Sequence, residues 1–270
     1  MSVPAPGFLP NWLVPDWPAP AGVNAVFTTR QGGQSRTPYD SLNLGTHVGD
    51  ALADVLANRA VLQRALGVRP VFLEQVHGTQ VQALTSDTPD GAVADACLST
   101  QPGLACTIMV ADCLSILLCD ASGRWVAAAH AGWRGLAGQG GVGVLESTLA
   151  AVYASNRALA PANSAQKAPE IIAWLGPCIG PMAFEVGDEV RAAFVAGDAA
   201  AVTCFAPASP GKWLADLPAL ARRRLAAAGV MAVYGNDGSA PWCTVNNPSH
   251  FFSHRRDRVS GRLAACIWLG

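Results

Sequence analysis

The longest apolar run of the chain, Ala105–Cys119, is the feature that most constrains its fold. A charged residue interrupts this run once, at Asp112. The run is shorter than the roughly 20 residues that a membrane-spanning helix needs. We therefore predict two buried strands, Thr107–Val110 and Leu114–Cys119, separated by a break at Asp112.

Helices and further strands alternate along the rest of the chain. Apolar residues recur at helical spacing after Asp50, the predicted N-cap, and Gly67 lies just beyond the predicted end of this helix. The other predicted elements are extended structure at Val71–Gln82, a strand at Arg124–Ala129, a helix near Val142–Val152, a loop at Ser155–Pro169, a strand at Ile171–Leu175, a helix that begins near Asp188, a helix at Asp216–Ala228 and a strand near Leu263–Leu269. Since no internal repeat occurs, we predict one domain over residues 1–270, with residues 1–22 as an N-terminal arm.

Charge and cysteine content exclude several classes of partner. The formal net charge is −1 and no stretch of five or more basic residues occurs, so we expect neither nucleic acid nor a membrane as a partner. The eight cysteines include no CxxC pair and lie mostly in apolar segments, which is typical of reduced, buried thiols. We expect a cytoplasmic protein, a monomer or a weak homodimer, that acts on a small molecule.

Three potential metal ligands occupy similar positions in the pattern. His77 and His130 each lie where an apolar extended segment gives way to a glycine turn, and Cys113 follows the break between the two buried strands. Side chains at three strand ends can converge on one rim of a sheet. Two imidazoles and a thiolate suit Zn²⁺, and three protein ligands leave a fourth position open, as catalytic zinc requires.

Spacing alone leaves other interpretations open. The gaps of 36 residues (77 to 113) and 17 residues (113 to 130) match no compact zinc motif. The histidines could be hydrogen-bonded core residues beside one more buried thiol. Cys113 could instead be a nucleophile with His77 or His130 as its base, without any metal. A structural zinc in a protein-binding module is a further interpretation.

Three other segments could contact an anion or a base. Thr28–Ser35 is a glycine-containing turn whose N–H groups could face an anion. Arg134 follows His130 in a glycine-rich segment and could face a ligand beside the metal. Phe251–Asp257 sets aromatic residues beside paired arginines, an arrangement that can stack a base and bind a phosphate. An ordinary turn, a solvated arginine and a packed phenylalanine pair explain the same patterns without a ligand.

Seven blocks of sequence together resemble the bacterial YfiH family, the laccase-domain or purine nucleoside phosphorylase group. They are TTRQGG, PYDSLNLGTHVGD, LEQVHG, ADCLSILLCD, HAGWRG, LGPCIGPMAFEVGDEV and FFSHRRD, and they occur in family order from about Thr28 to the C-terminus. The resemblance implies an α+β fold of mixed β-sheets with flanking helices in a layered sandwich. It also implies that His77, Cys113 and His130 bind one zinc ion.

The activity implied by the resemblance is phosphorolysis of adenosine, inosine, guanosine and S-methyl-5'-thioadenosine, with adenosine deamination as a further activity. Cys113, Asp112 and Glu185 are the expected catalytic residues. The expected substrate-binding residues are Arg30, Asn43, Gln75, Arg134 and Arg255.

The family implies two alternative functions. One is peptidoglycan-precursor editing, in which zinc or Cys113 would serve the removal of a wrong amino acid from a nucleotide-linked muramic acid precursor. The other is polyphenol oxidation by copper, which we favour less because a trinuclear copper cluster needs more imidazoles than the three histidines left over.

The sequence departs from the family pattern at two places. The glycine-rich stretch Leu136–Gly143 is longer than usual, and His254 stands where a tyrosine is usual.

Overall fold

The structure, a computed structural model, describes residues 7–159 and 170–270. Within these ranges the chain forms thirteen strands and six α-helices. The strands are β1 (Val23–Phe27), β2 (Arg69–Phe72), β3 (Val81–Ala83), β4 (Ala96–Ser99), β5 (Leu104–Val110), β6 (Leu114–Asp120), β7 (Val126–Ala131), β8 (Ile171–Leu175), β9 (Glu185–Gly187), β10 (Phe205–Pro207), β11 (Lys212–Ala215), β12 (Ala232–Gly235) and β13 (Leu263–Leu269). The helices are α1 (Leu52–Leu66), α2 (Trp133–Ala137), α3 (Val144–Leu159), α4 (Asp188–Val195), α5 (Leu217–Ala227) and α6 (His254–Asp257), and two short 3-10 helices lie at Ala199–Cys204 and Ala240–Trp242.

Two mixed sheets pack face to face at the centre of the molecule. The four-stranded sheet has the order β1-β13-β5-β2, and the six-stranded sheet has the order β12-β8-β6-β7-β4-β3. Every residue of β5, β6 and β7 is buried, as expected for strands covered on both faces. Between the sheets lies an apolar core that includes Phe27, Ile108, Leu117 and Trp174.

Helices cover the outer faces of both sheets. Leu62 and Leu66 of α1 pack with Phe72 and Met109 on the outer face of the four-stranded sheet. Helices α3 and α5, together with the three-stranded sheet β10-β11-β9, cover the other side. The predicted α+β layered sandwich of mixed sheets with flanking helices is therefore confirmed.

Several predicted elements match the structure closely. The two central strands fall within β5 and β6, and the predictions for β8 and β13 agree at both ends. Helix α5 begins after Asp216, whose side chain accepts a hydrogen bond from the Ala219 N–H at 2.9 Å. Gly67 ends α1 in the left-handed conformation, with a φ of 71°. The local signals of capping and apolar periodicity were sufficient for these elements.

The prediction of Asp50 as N-cap is wrong. Helix α1 begins one residue later, and Ala51 occupies the N-cap position without a side-chain hydrogen bond. The Asp50 carboxylate accepts hydrogen bonds from the Ala51 N–H at 2.8 Å and from Nδ2 of Asn43 at 2.9 Å. Because these contacts hold the loop before the helix, its oxygens are not directed at the first turn.

Two further predictions need correction at their boundaries. The segment Val71–Gln82 is not one extended stretch, because β2 ends at Phe72 and β3 begins only at Val81. The predicted loop Ser155–Pro169 begins inside α3, which continues to residue 159, and residues 160–169 lie outside the described part of the chain. Within the described part of the predicted arm, Trp12 is buried and Leu13 pairs with Phe27.

All eight cysteines are free thiols, and seven of them are buried. Cys113 is the exception, since it is partly exposed. Among the described helices, none is long and apolar enough to cross a membrane.

Candidate metal centre

Sheet topology brings the three predicted ligands to one edge of the sandwich. Strand β2 runs parallel to β5, so both leave the four-stranded sheet at the same edge and pass from there to the six-stranded sheet. His77 lies in the first of these crossings and Cys113 in the second. Strand β6 begins where the antiparallel β7 ends, which places Cys113 beside His130. The three side chains meet at one edge of the sandwich as predicted, although His77 lies in the loop between β2 and β3 rather than at a strand end.

The donor atoms of the three side chains are close enough to share one ion. They all lie within 4.8 Å of one another, and Sγ of Cys113 is 3.7 Å from Nε2 of His77. The centroids of the two imidazole rings are 4.8 Å apart. These three side chains therefore form a group that could hold a metal ion.

Gly132 explains why a glycine turn follows His130. A Cβ atom at this position would lie 2.8 Å from Cδ2 of His77 and 3.1 Å from Sγ of Cys113. Any larger residue would push into the donor atoms, so the backbone can approach them only as glycine.

The carboxylate of Asp95 accepts hydrogen bonds from both histidine residues. It is fully buried. Oδ1 accepts hydrogen bonds from the His77 N–H at 2.9 Å and from Nδ1 of His130 at 2.8 Å. Oδ2 accepts from the N–H groups of Val76 at 3.1 Å and of Gly78 at 2.7 Å. Three successive backbone N–H groups thus surround one carboxylate, and this nest holds His77 at a φ of 60°, in the left-handed region.

Sequence reasoning missed Asp95. It is the single charged residue in the otherwise apolar segment Ala92–Leu98, and it comes directly before β4. A buried acid requires partners, so this isolated charge was the available signal. A carboxylate that accepts from a histidine fixes the ring so that its other nitrogen, Nε2, is free to bind a metal.

Charge–charge interactions inside the group shift its pKa values in opposite directions. Burial raises the pKa of the Cys113 thiol, but the charge of His130 and hydrogen bonds with both histidines outweigh it, so the pKa falls to about 6. Burial lowers the pKa of His130, but the Cys113 thiolate and Asp95 outweigh it and raise the pKa to about 9. Without a metal, these two residues form a thiolate–imidazolium pair near neutral pH.

A cavity of about 180 Å³ opens beside the donor atoms, and His77 and Cys113 line it. Its apolar lining residues include Trp133, Phe184 and Leu217.

The other lining residues of the cavity include several cations. They are Arg134, Arg255 and Arg258, and His254 is a further lining residue. The cavity therefore combines a soft donor group, apolar side chains that include two aromatic rings, and positive charge.

Two of the five predicted substrate-binding residues, Arg134 and Arg255, line this cavity. The others do not. Arg30 donates to the carbonyls of Asp40 and Pro248, at 2.8 and 3.0 Å.

The remaining two predicted residues, Asn43 and Gln75, are also engaged within the protein. Asn43 is fully buried and accepts from the Arg262 N–H at 2.9 Å. Gln75 exchanges two hydrogen bonds of 2.8 Å with the backbone of Met109 at the end of β5. Both therefore hold loops that lead to the site.

The two predicted catalytic carboxylates differ in position. Asp112 lines the cavity, and its two oxygens accept hydrogen bonds of 2.6 Å from Oγ1 of Thr244 and from the Arg255 N–H. Glu185 is exposed and is not among the lining residues, although its carbonyl accepts from the Arg255 guanidinium at 3.2 Å.

Arg258 is a lining residue that sequence reasoning missed. It directly follows α6 and the pair of arginines, Arg255 and Arg256, that the sequence analysis considered. Its φ is 63°. No periodicity or motif marks such a position. By contrast, His254, noted in the sequence only as a departure from the family pattern, does reach the cavity.

The chain is similar to known proteins over nearly its whole length. Residues 24–270 match the family model described as multi-copper polyphenol oxidoreductase laccase. The chain is 50% identical to a purine nucleoside phosphorylase of Pseudomonas aeruginosa, over 96% of this chain and 98% of that protein. It is 49% identical to the purine nucleoside phosphorylase YfiH of Escherichia coli, over 95% and 98%. A crystal structure of a Neisseria meningitidis protein of the DUF152 family superposes with a TM-score of 0.83 at 46% identity, covering 96% of this chain and 99% of that one.

Proposed function

Because the chain belongs to the YfiH family, whose family model is described as multi-copper polyphenol oxidoreductase laccase, we propose that it is a zinc-dependent purine nucleoside phosphorylase. The proposed substrates are adenosine, inosine, guanosine and S-methyl-5'-thioadenosine, with adenosine deamination as a further activity. The names of the Pseudomonas and Escherichia relatives support phosphorolysis. The observation that carries the proposal is the His77, Cys113 and His130 group beside a cavity with apolar and cationic walls.

Zinc fits the donor set better than copper in an oxidase cluster. A thiolate and two imidazoles with an open fourth position are typical of catalytic zinc, which supplies a Lewis acid when bound. The other three histidines, His47, His250 and His254, are exposed and belong to no group of metal ligands among the described residues. A trinuclear copper cluster would need more imidazoles near the site. We expect no substantial phenol oxidation; turnover by copper-loaded protein with several copper atoms per chain would contradict this.

Phosphorolysis requires a phosphate placed against C1′ of the nucleoside and a purine that leaves with a proton. The aromatic rings of Trp133 and Phe184 offer a flat apolar surface to the purine and exclude water from it. Of the two carboxylates proposed for catalysis, Asp112 lines the cavity. We propose that it orients Thr244 and the backbone of Arg255, since both of its oxygens accept hydrogen bonds from them. The carboxylate of Glu185 does not line the cavity. We propose that Glu185 contributes through its backbone carbonyl, which accepts a hydrogen bond from the Arg255 guanidinium at 3.2 Å.

The test is product analysis with metal-analysed protein. Adenosine is supplied with and without phosphate, and adenine, inosine and ribose 1-phosphate are separated by chromatography. Cys113→Ala removes the thiolate donor, and Cys204→Ala is the matched control, because Cys204 is a buried thiol in a 3-10 helix outside the site. We expect phosphate-dependent adenine and ribose 1-phosphate from the wild type and the control, and none from Cys113→Ala. No nucleoside turnover by zinc-loaded wild type would refute the proposal.

One observation favours a second candidate, peptidoglycan-precursor editing. The donor atoms of Cys113 and His130 lie within 4.8 Å of each other, and Nδ1 of His130 donates to Asp95 at 2.8 Å, so that Asp95 orients the imidazole as in cysteine hydrolases. This reading predicts release of serine from a nucleotide-linked muramic acid precursor. The release would be independent of phosphate, would persist after metal removal if Cys113 is the nucleophile, and would be lost in Cys113→Ala.

A further inference from the structure

We propose that Arg134 and Arg258 form an anion subsite at the mouth of the cavity and that this subsite takes a phosphate group. Assigning that group to inorganic phosphate rests on the proposed phosphorylase function. The subsite itself rests on three observations: the free guanidinium groups, the backbone of Arg258 and the charge of the cavity lining.

The three arginines of the cavity lining differ in how they are bonded. The Arg255 guanidinium donates to the carbonyls of Ala183 and Glu185, at 3.4 and 3.2 Å, and is therefore held by the protein. Over the described residues, the guanidinium groups of Arg134 and Arg258 make neither a hydrogen bond nor a salt bridge. Two planar cations with their donors free, facing one cavity, are suited to the oxygens of a phosphate.

Arg258, which lines the cavity, has a strained backbone conformation. Its φ of 63° lies in the left-handed region, which a residue with a side chain rarely adopts. Its N–H donates to the carbonyl of His254 at 2.9 Å and closes the turn of α6. A glycine would adopt this conformation without strain, so an arginine here indicates that its side chain serves a purpose.

Arg134 is held by packing instead. Its guanidinium carbon lies 4.5 Å from the centroid of the Trp133 ring, which itself lines the cavity. Stacking orients the guanidinium while leaving its N–H groups free for a ligand. Arg134 lies two residues after Gly132, whose backbone approaches the donor atoms, and it lines the same cavity as His77 and Cys113.

The cavity lining offers little negative charge to compete with a ligand. Among the described lining residues, the sole carboxylate is that of Asp112, and both of its oxygens already accept hydrogen bonds from Thr244 and Arg255. The remaining charged side chains of the lining are those of the three arginines and of the metal-ligand residues. The local field therefore favours an anion between Arg134 and Arg258.

The test separates phosphate binding from nucleoside binding. Arg134→Gln and Arg258→Gln each remove the positive charge and keep a polar, though shorter, side chain. Arg36→Gln is the control, because Arg36 is exposed and is not a lining residue. In zinc-loaded protein we expect each cavity variant to raise KM for phosphate roughly 10- to 100-fold, the range for loss of a charge-assisted hydrogen bond. KM for adenosine should change less than about threefold, and the control should match the wild type.

Calorimetric titration with inorganic phosphate provides a readout that needs no turnover. Phosphate that binds wild type and binds both variants more weakly supports the subsite, even if no nucleoside is cleaved and the phosphorylase proposal fails. Adenine release with a wild-type KM for phosphate in both variants refutes the subsite and leaves the phosphorylase standing. Failure of wild type to bind inorganic phosphate, with adenosine monophosphate bound through the same arginines, assigns the subsite to a phosphate carried by the substrate and overturns its assignment to inorganic phosphate.

Discussion

The fully buried carboxylate of Asp95 holds the backbone of His77 and the imidazole of His130, whereas Arg134 and Arg258 are exposed and their guanidinium groups make no hydrogen bond among the described residues. Two crossings between the sheets and the end of β7 place the donor group. A short helix and the turn after another place Arg134 and Arg258.

This difference separates two kinds of functional requirement. Donor atoms must be held at fixed positions to share one ion, so they are connected to the core. Groups that meet a substrate can adjust as it enters. Changes near Asp95 should therefore affect folding and metal affinity together, whereas changes at the mouth should affect ligand binding alone.

The largest effect is expected for Asp95→Ala. This change leaves three backbone N–H groups and Nδ1 of His130 without a buried acceptor, so the free energy of unfolding should fall by about 3–5 kcal/mol. Urea denaturation of the metal-free variant measures it. Asp198→Ala is the control, since it removes a half-exposed pair with Arg223 and should cost about 1 kcal/mol. An equal loss in both variants would mean that Asp95 does not support the donor group.

Gly132→Ala should weaken metal binding while changing folding less. The added Cβ would lie 2.8 Å from the His77 ring, so the imidazole or the turn must shift and the donor atoms separate. We expect a roughly 10- to 100-fold loss of affinity, by analogy with perturbed supporting groups of metal sites. Cobalt titration followed by the thiolate-to-cobalt absorption measures it. The control is Gly197→Ala, because a Cβ at Gly197 meets open space.

The reactivity of Cys113 in metal-free protein tests the charge pair within the donor group. A pKa lowered to about 6 keeps the thiolate dominant above that pH, so alkylation by iodoacetamide should rise with a midpoint near pH 6 and then level off. In His130→Gln the positive neighbour is lost and the pKa should return toward the usual thiol value. The rate at pH 7 should then fall roughly 10- to 100-fold. A midpoint unchanged in the variant would show that His130 does not lower the pKa.

Sequence reasoning located the donor group but only part of the cavity, and the reason is physical. Cys113 and His130 lie at apolar runs that mark strand ends, and strand ends can be predicted from local pattern, whereas His77 lies in the loop after β2. Asp95 and Arg258 depend on which loops meet in space, and no local period encodes that. The resemblance pointed to Arg134 and Arg255, which line the cavity, and also to Asn43 and Gln75, whose hydrogen bonds hold the loops themselves.

A change at Arg30 has the smallest expected effect, and it tests whether a residue that holds a loop also binds the substrate. Its guanidinium donates to the carbonyls of Asp40 and Pro248 and stacks 4.8 Å from the centroid of the Phe252 ring, outside the cavity lining. Arg30→Gln should lower the free energy of unfolding by about 1–2 kcal/mol through these lost contacts. KM for adenosine and for phosphate should each stay within about twofold of wild type, because no lining group changes. A KM raised tenfold at unchanged stability would instead place Arg30 at the substrate, and would mean that the loop carrying it moves toward the cavity when a ligand binds.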